Sequence, residues 1–128
     1  MRRGVKENTI LKKSFAFSLD LIRYYRSTEC GKIPYVILRQ LLRSGTSIGA
    51  NVEEAMSSWT YREFLNRMSV ALREARETMY WLRLVHESEL DGSSELVELM
   101  HQAMELNRIL SRIVHTGKNR LKTMKANT

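Results

Sequence analysis

Glu98-x-x-His101 sets a carboxylate and an imidazole one helical turn apart, the spacing with which carboxylate-bridged di-iron bundles hold metal. That chemistry needs the motif on two helices, with further glutamates facing inward. This sequence has it once, and on a helical wheel Leu96, Leu99, Met100, Ala103 and Leu110 cluster opposite to Glu98 and His101. No metal or other cofactor is expected. Cys30, His86 and His115 fall at helix ends or near loops, and no serine, histidine and acid share a motif spacing such as G-x-S-x-G. "GTSIG" (Gly45 to Gly49) lacks the lysine and the length of a phosphate-binding loop. The chain is expected not to be an enzyme.

Cations offer a different chemistry. Arg39 and Arg43 stand one turn apart and could jointly meet a phosphate. Arg108, Arg112 and His115 follow one another at steps of four and three and lead into Lys118, Arg120, Lys122 and Lys125. The net charge of +7 lies at the two ends: residues 1–13 carry +4, residues 105–128 carry +5, and the stretch between them −2. Basic ends attract polyanions, nucleic acid above all. The expected RNA or DNA contact is therefore Arg108, Arg112, Lys118, Arg120, Lys122 and Lys125, with Arg39 and Arg43 as a second patch; the competing reading is a solvated basic face with no ligand. Trp59, Trp81, Tyr24, Tyr25, Tyr61 and Tyr80 could stack on bases. Most lie in or beside apolar rows, where packing is expected instead, and Tyr80 and Trp81 near Arg83 have the composition of a subunit contact.

The elements that carry these residues are helices. One proline and six glycines in 128 residues leave long uninterrupted segments. The first helix is predicted from about Asn8 to Thr28, with one apolar row at Ile10, Ser14, Phe17, Leu21 and Tyr24 and a neighbouring row at Leu11, Phe15, Ile22 and Tyr25. Gly31 caps it, and Pro34 suits the first turn of the second helix, whose inner side carries Leu38, Leu41, Leu42, Gly45, Ile48, Gly49, Val52 and Ala55. Thr60 and Glu63 form a capping box for the third helix, with Trp59 and Phe64 as its hydrophobic staple. Its seam runs Phe64, Met68, Ala71, Ala75, Thr78, Leu82, Val85, alternating steps of four and three, beside a second row at Leu65, Leu72 and Met79. Asp91-Gly92 is read as a turn, Ser94 as the cap of the fourth helix, and Gly117 as its end. This gives one domain over residues 1–128, an all-α antiparallel up-down-up-down four-helix bundle with a basic arm (residues 1–8) and a basic tail (residues 118–128). The apolar stripes exceed what one narrow seam needs, which points to a homo-oligomer. A single cysteine excludes an internal disulfide and fits a reducing compartment, no apolar run approaches the roughly 20 residues of a membrane span, and no secretion signal is read, so a cytoplasmic protein without membrane contact is expected.

The second helix contains "LLRSGTSIGANVEEA", with two glycines one turn apart although each costs a helix interior about 1 kcal/mol relative to alanine. Close helix packing is the expected explanation, the alternative being a gap that admits a partner strand or subunit, and Asn51 and Glu54 would need partners, such as Arg43 or Arg39. Arg43, Ser47, Ile48, Asn51 and Glu54 match the R-A-A-x-S-I-x-x-N-I-x-E-G pattern of the four-helix-bundle proteins found in intervening sequences of bacterial 23S ribosomal RNA genes. Ser44 and Gly45 replace its alanine pair, and Ala55 its glycine. "YREF" and "EARETMYWLRLV" resemble further stretches of that family, so the similarity covers roughly residues 8–115. The resemblance implies a left-handed bundle assembled as a homopentamer, no known catalytic activity, and nucleic-acid binding as the suspected role. Related bundles are accessory proteins of diversity-generating retroelements, which implies a reverse transcriptase or similar enzyme as an alternative partner.

Overall fold

In the computed structural model, which describes residues 5–127, four helices follow one another: α1 (Val5–Ser27), α2 (Tyr35–Met56), α3 (Tyr61–Glu87) and α4 (Ser94–Ala126). Each packs on two neighbours, α1 and α3 both lying against α2 and α4. With connections this short, consecutive helices run antiparallel, giving the up-down-up-down bundle. Of the N-terminal arm expected over residues 1–8, residues 1–4 lie outside the described residues, and Val5 already begins α1.

The inner rows form the core. The seven-residue seam of α3 from Phe64 to Val85 is buried throughout, and Ile10, Phe17, Leu21, Ile48, Leu106 and Leu110 are almost wholly covered. In a four-helix ring each helix shows the interior only part of its circumference. The second row of α1 is therefore mostly outside the core: Leu11 packs half-buried against it, but Phe15 is 58% exposed, Ile22 44% and Tyr25 39%.

The helix ends hold both agreements and corrections. Thr60 caps α3 by accepting from the Glu63 backbone N–H (3.1 Å), and the Glu63 carboxylate accepts from the Trp59 backbone N–H (3.2 Å). The expected staple does not form: Trp59 is 94% exposed, and the Tyr61 ring stacks on Phe64 instead, 5.6 Å between centroids. The cap of α4 is Ser93 rather than Ser94, its Oγ accepting from Leu96 N–H at 3.2 Å. In the preceding loop the residue in the left-handed region is Glu89 (φ 63°), not Gly92. Gly117 does not end α4, which runs on to Ala126. There the glycine is a close-approach residue: a Cβ at Gly117 would overlap the Leu65 side chain and lie 3.2 Å from the Tyr61 hydroxyl. Packing against α3 outweighs the helix penalty of the glycine, so the segment read as a tail is helical, with Leu121 half-buried against the core.

Gly45 and Gly49 face α1. A Cβ at Gly45 would overlap Cδ2 of the buried Leu21 and lie 3.4 Å from Phe17. At Gly49 it would sit 3.4 Å from the Ser14 carbonyl oxygen and from Ser18 Oγ, an ordinary contact. The two sites should therefore respond differently. Gly45→Leu is expected to cost roughly 1–3 kcal/mol through overpacking, whereas Gly49→Ala should gain up to about 1 kcal/mol from helix propensity. Urea denaturation measures both, and a Gly45→Leu protein as stable as the parent would refute the close-approach argument.

One end of the bundle is tied by Asp91. It is 4% exposed and accepts hydrogen bonds from Tyr24 Oη (2.5 Å), Lys32 Nζ (3.2 Å), and Ser93 N–H and Oγ (both 2.9 Å). The contacts join α1, the α1–α2 turn and the α3–α4 loop. Burial pushes the Asp91 carboxyl up, but the hydrogen bonds from Tyr24, Ser93 and Lys32 outweigh it and hold the group at about 2. Burial and the neighbouring Asp91 raise the Tyr24 phenol, which stays a donor.

Candidate nucleic-acid interface

The charged residues in the middle of α3 separate onto two sides. Glu74 and Glu77 turn toward α2, where both take the Arg43 guanidinium, and Glu77 also accepts from the Trp81 indole at 3.2 Å. On the outer side toward α4, Arg62, Asn66, Ser69, Arg73, Arg76, Tyr80 and Arg83 succeed one another at alternating steps of four and three, a polar counterpart of the buried seam.

This α3 face and α4 enclose three shallow grooves that join end to end. The first is lined by Arg76, Met79, Tyr80, Arg83, Met104, Asn107 and Arg108. The second shares Arg76 with it and adds Arg73, Val114 and Lys118. The third shares Lys118 and adds Arg62, Leu121, Lys122, Met124 and Lys125. Together they track α3 from Arg62 to Arg83, roughly 30 Å at 1.5 Å per residue. Their walls hold Arg62, Arg73, Arg76, Arg83, Arg108, Lys118, Lys122 and Lys125 and no Asp or Glu. Among the described residues, Arg62, Arg73, Arg76, Arg108 and Lys118 make no ion pair within the chain, while Arg83 meets Glu87 at 3.3 Å.

The cations singled out from sequence divide over this surface. Arg108, Lys118, Lys122 and Lys125 are brought together along the grooves. Arg112 is exposed one turn beyond Arg108, and Arg120 lies over the Tyr61 ring, 4.1 Å from its centroid. The helix 2 pair does not form an open phosphate clamp. Arg43 is held by Gln40, Glu74 and Glu77 as a strut between α2 and α3, and Arg39 is exposed without an ion pair among the described residues. Arg62, Arg73 and Arg76 are not marked by charge summed along the chain, which averages the two sides of α3, and Arg83, expected at a subunit contact, lines the groove instead; the heptad spacing of the outer residues is the available signal.

The polar residues of the helix 2 pattern serve packing. Ser47 Oγ donates to the Arg43 carbonyl (2.6 Å) and Asn51 Nδ2 to the Ser47 carbonyl (2.8 Å), so Asn51 is satisfied within its own helix and not by Arg39 or Arg43. Ile48 is fully buried, Glu54 is exposed, and the buried Ser44 accepts from Thr78 at 3.0 Å across the α2–α3 contact. Glu98 and His101 are both exposed, and no cluster of three or more His, Cys, Asp or Glu suited to a metal occurs among the described residues. Among the same residues no helix is long and apolar enough to cross a membrane.

A family model described as 23S rRNA-intervening sequence protein matches residues 6–112. The chain belongs to that family. A crystal structure of a member of the S23 ribosomal protein family from Bacteroides thetaiotaomicron, a protein of unknown function, superposes with a TM-score of 0.79 at 33% identity, covering 87% of this chain and 99% of that one. Among curated proteins none matches. The matched region contains all of α1 except Val5, the whole of α2 and α3, and Arg108 and Arg112 of α4. The last turns of α4, with Gly117, Lys118, Lys122 and Lys125, lie beyond it and extend the same grooves.

Proposed function

We propose that the chain is a non-enzymatic, homo-oligomeric nucleic-acid-binding bundle of the cytoplasm that holds RNA or DNA through phosphate contacts with little base specificity. The observation that carries this reading is the continuous α3–α4 groove, whose walls hold eight Lys or Arg and no acid. A low-dielectric wall with one sign of charge concentrates a polyanion, and each neutralised phosphate releases counterions. The exposed apolar row of α1, Phe15, Leu19 and Ile22, lies on a different helix and supports self-association. A homopentamer, the assembly that the family resemblance implies, would multiply the monomer charge of +7 and turn modest attraction into avid binding.

The test is a binding titration of the full chain against generic RNA and DNA 20-mers at several salt concentrations, with light scattering of the free protein. Affinity is expected to fall steeply with salt, with a slope of about −0.7 to −0.9 per phosphate contacted, and the mass to be about five times 15.0 kDa. Absence of binding at ~50 mM salt, where this contribution is large, would overturn nucleic-acid binding and favour the alternative reading, an adaptor for a reverse transcriptase or similar enzyme. A monomer at micromolar concentration would overturn the oligomer.

A further inference from the structure

Resting on the nucleic-acid reading, we propose that the groove end around Tyr80 is a seat for an unpaired nucleotide, which makes single-stranded nucleic acid the ligand class of this face. Tyr80 is 51% exposed although it lies among arginines, and its ring and that of Trp81 meet in a T-shaped pair, 5.1 Å between centroids and 73° between planes. Trp81 is itself held by its indole N–H on Glu77. An exposed ring braced by such a neighbour offers a π-face to a base, and stacking of this kind is sequence-tolerant because every base has one.

The other walls complete the match. Arg76 and Arg83 stand one turn before and one turn after Tyr80 on α3, and Arg108 faces them from α4. Three guanidinium groups around one ring suit the phosphates on either side of a stacked base. Asn107 supplies the acceptor that the cations cannot. Its Nδ2 donates to the Ala75 carbonyl (3.0 Å) and the Ala103 carbonyl (2.8 Å), which consumes both amide hydrogens and fixes the amide orientation. Oδ1 is then the group that Asn107 has left to offer the groove it lines. Every nucleobase carries an N–H on its pairing edge, and in a duplex that hydrogen and both ring faces are occupied. A ring to stack on requires an unpaired base, because duplex stacking covers both ring faces, and Oδ1 can then accept from the exposed pairing edge.

The test compares Tyr80→Ala and Tyr80→Phe with the parent on labelled 12-mers: single-stranded RNA, single-stranded DNA and a DNA duplex. Tyr80→Ala should weaken binding of the single strands about tenfold, leave duplex binding within about twofold, and leave the melting temperature in place because the ring is half exposed. Tyr80→Phe keeps the π-face and should bind like the parent. A loss confined to the RNA or the DNA arm also supports the seat and assigns its source. Unchanged single-strand affinity in Tyr80→Ala, or an equal loss on strands and duplex, overturns it while the phosphate-directed reading stands. If the parent binds none of the three, both readings fall together.

Discussion

Replacing Arg76 and Lys118 together by glutamate is expected to lower affinity for a generic 20-mer about a hundredfold or more at low salt. These two residues are where the three grooves meet, Arg76 joining the first to the second and Lys118 the second to the third. Each substitution removes a cation that has no ion pair within the described residues and installs a repulsive charge at the same place. An exposed charge interaction is worth up to about 1 kcal/mol, so reversal costs up to roughly twice that per site. The salt slope should flatten by about two phosphate equivalents. Both side chains are exposed, so the fold should persist, which circular dichroism would verify. Arg26→Glu with Arg39→Glu is the comparison, since the pair carries the same change of charge on α1 and α2. Equal losses in the two proteins would show a response to net charge alone and remove the groove from the account.

Asp91→Ala should be the most damaging single substitution at the turn end of the bundle, costing about 3 kcal/mol. It leaves the buried Tyr24 hydroxyl without its acceptor, a loss of roughly 1–3 kcal/mol by itself. It also releases Lys32 and the Ser93 contacts that shape the entry to α4. Tyr24→Phe deletes one donor and leaves the carboxylate with three, so it should cost only about 1 kcal/mol. The Asp91 carboxyl titrates lower in the folded chain, at about 2, than its ordinary 3.8. Its contribution is therefore complete above pH ~4 and is lost as pH falls through the folded value. Chemical denaturation of parent and Asp91→Ala at pH 7 and at pH 2 should show the difference between them shrinking at the lower pH. A constant difference would mean that the carboxylate charge contributes nothing to the clamp.

The four helices, their buried seams and the family were legible in the sequence because each rests on local regularity. Apolar residues at steps of three and four determine which side of a helix avoids water, and a capping box such as Thr60 with Glu63 satisfies backbone groups within one turn. The pattern on α2 carries its own identity in the same way, through Arg43, Ser47, Ile48, Asn51 and Glu54. What the sequence could not decide is which outer face meets which neighbour. Periodicity gave the second row of α1 the same rank as the first, and only the closed ring of helices shows that Phe15 and Ile22 stay outside. Gly117 has the composition of a helix end, yet α4 passes through it because Leu65 and Tyr61 occupy the space that a side chain would need. Arg43 and Arg76 are chemically alike. The first is consumed by Glu74 and Glu77, while the second opens on a groove without acids, because Glu74 and Glu77 lie on the α2 side of α3 and Arg76 on the α4 side. Charge counted along the chain cannot see that separation, since a helix sorts residues by angle and a bundle then gives each angle a different partner.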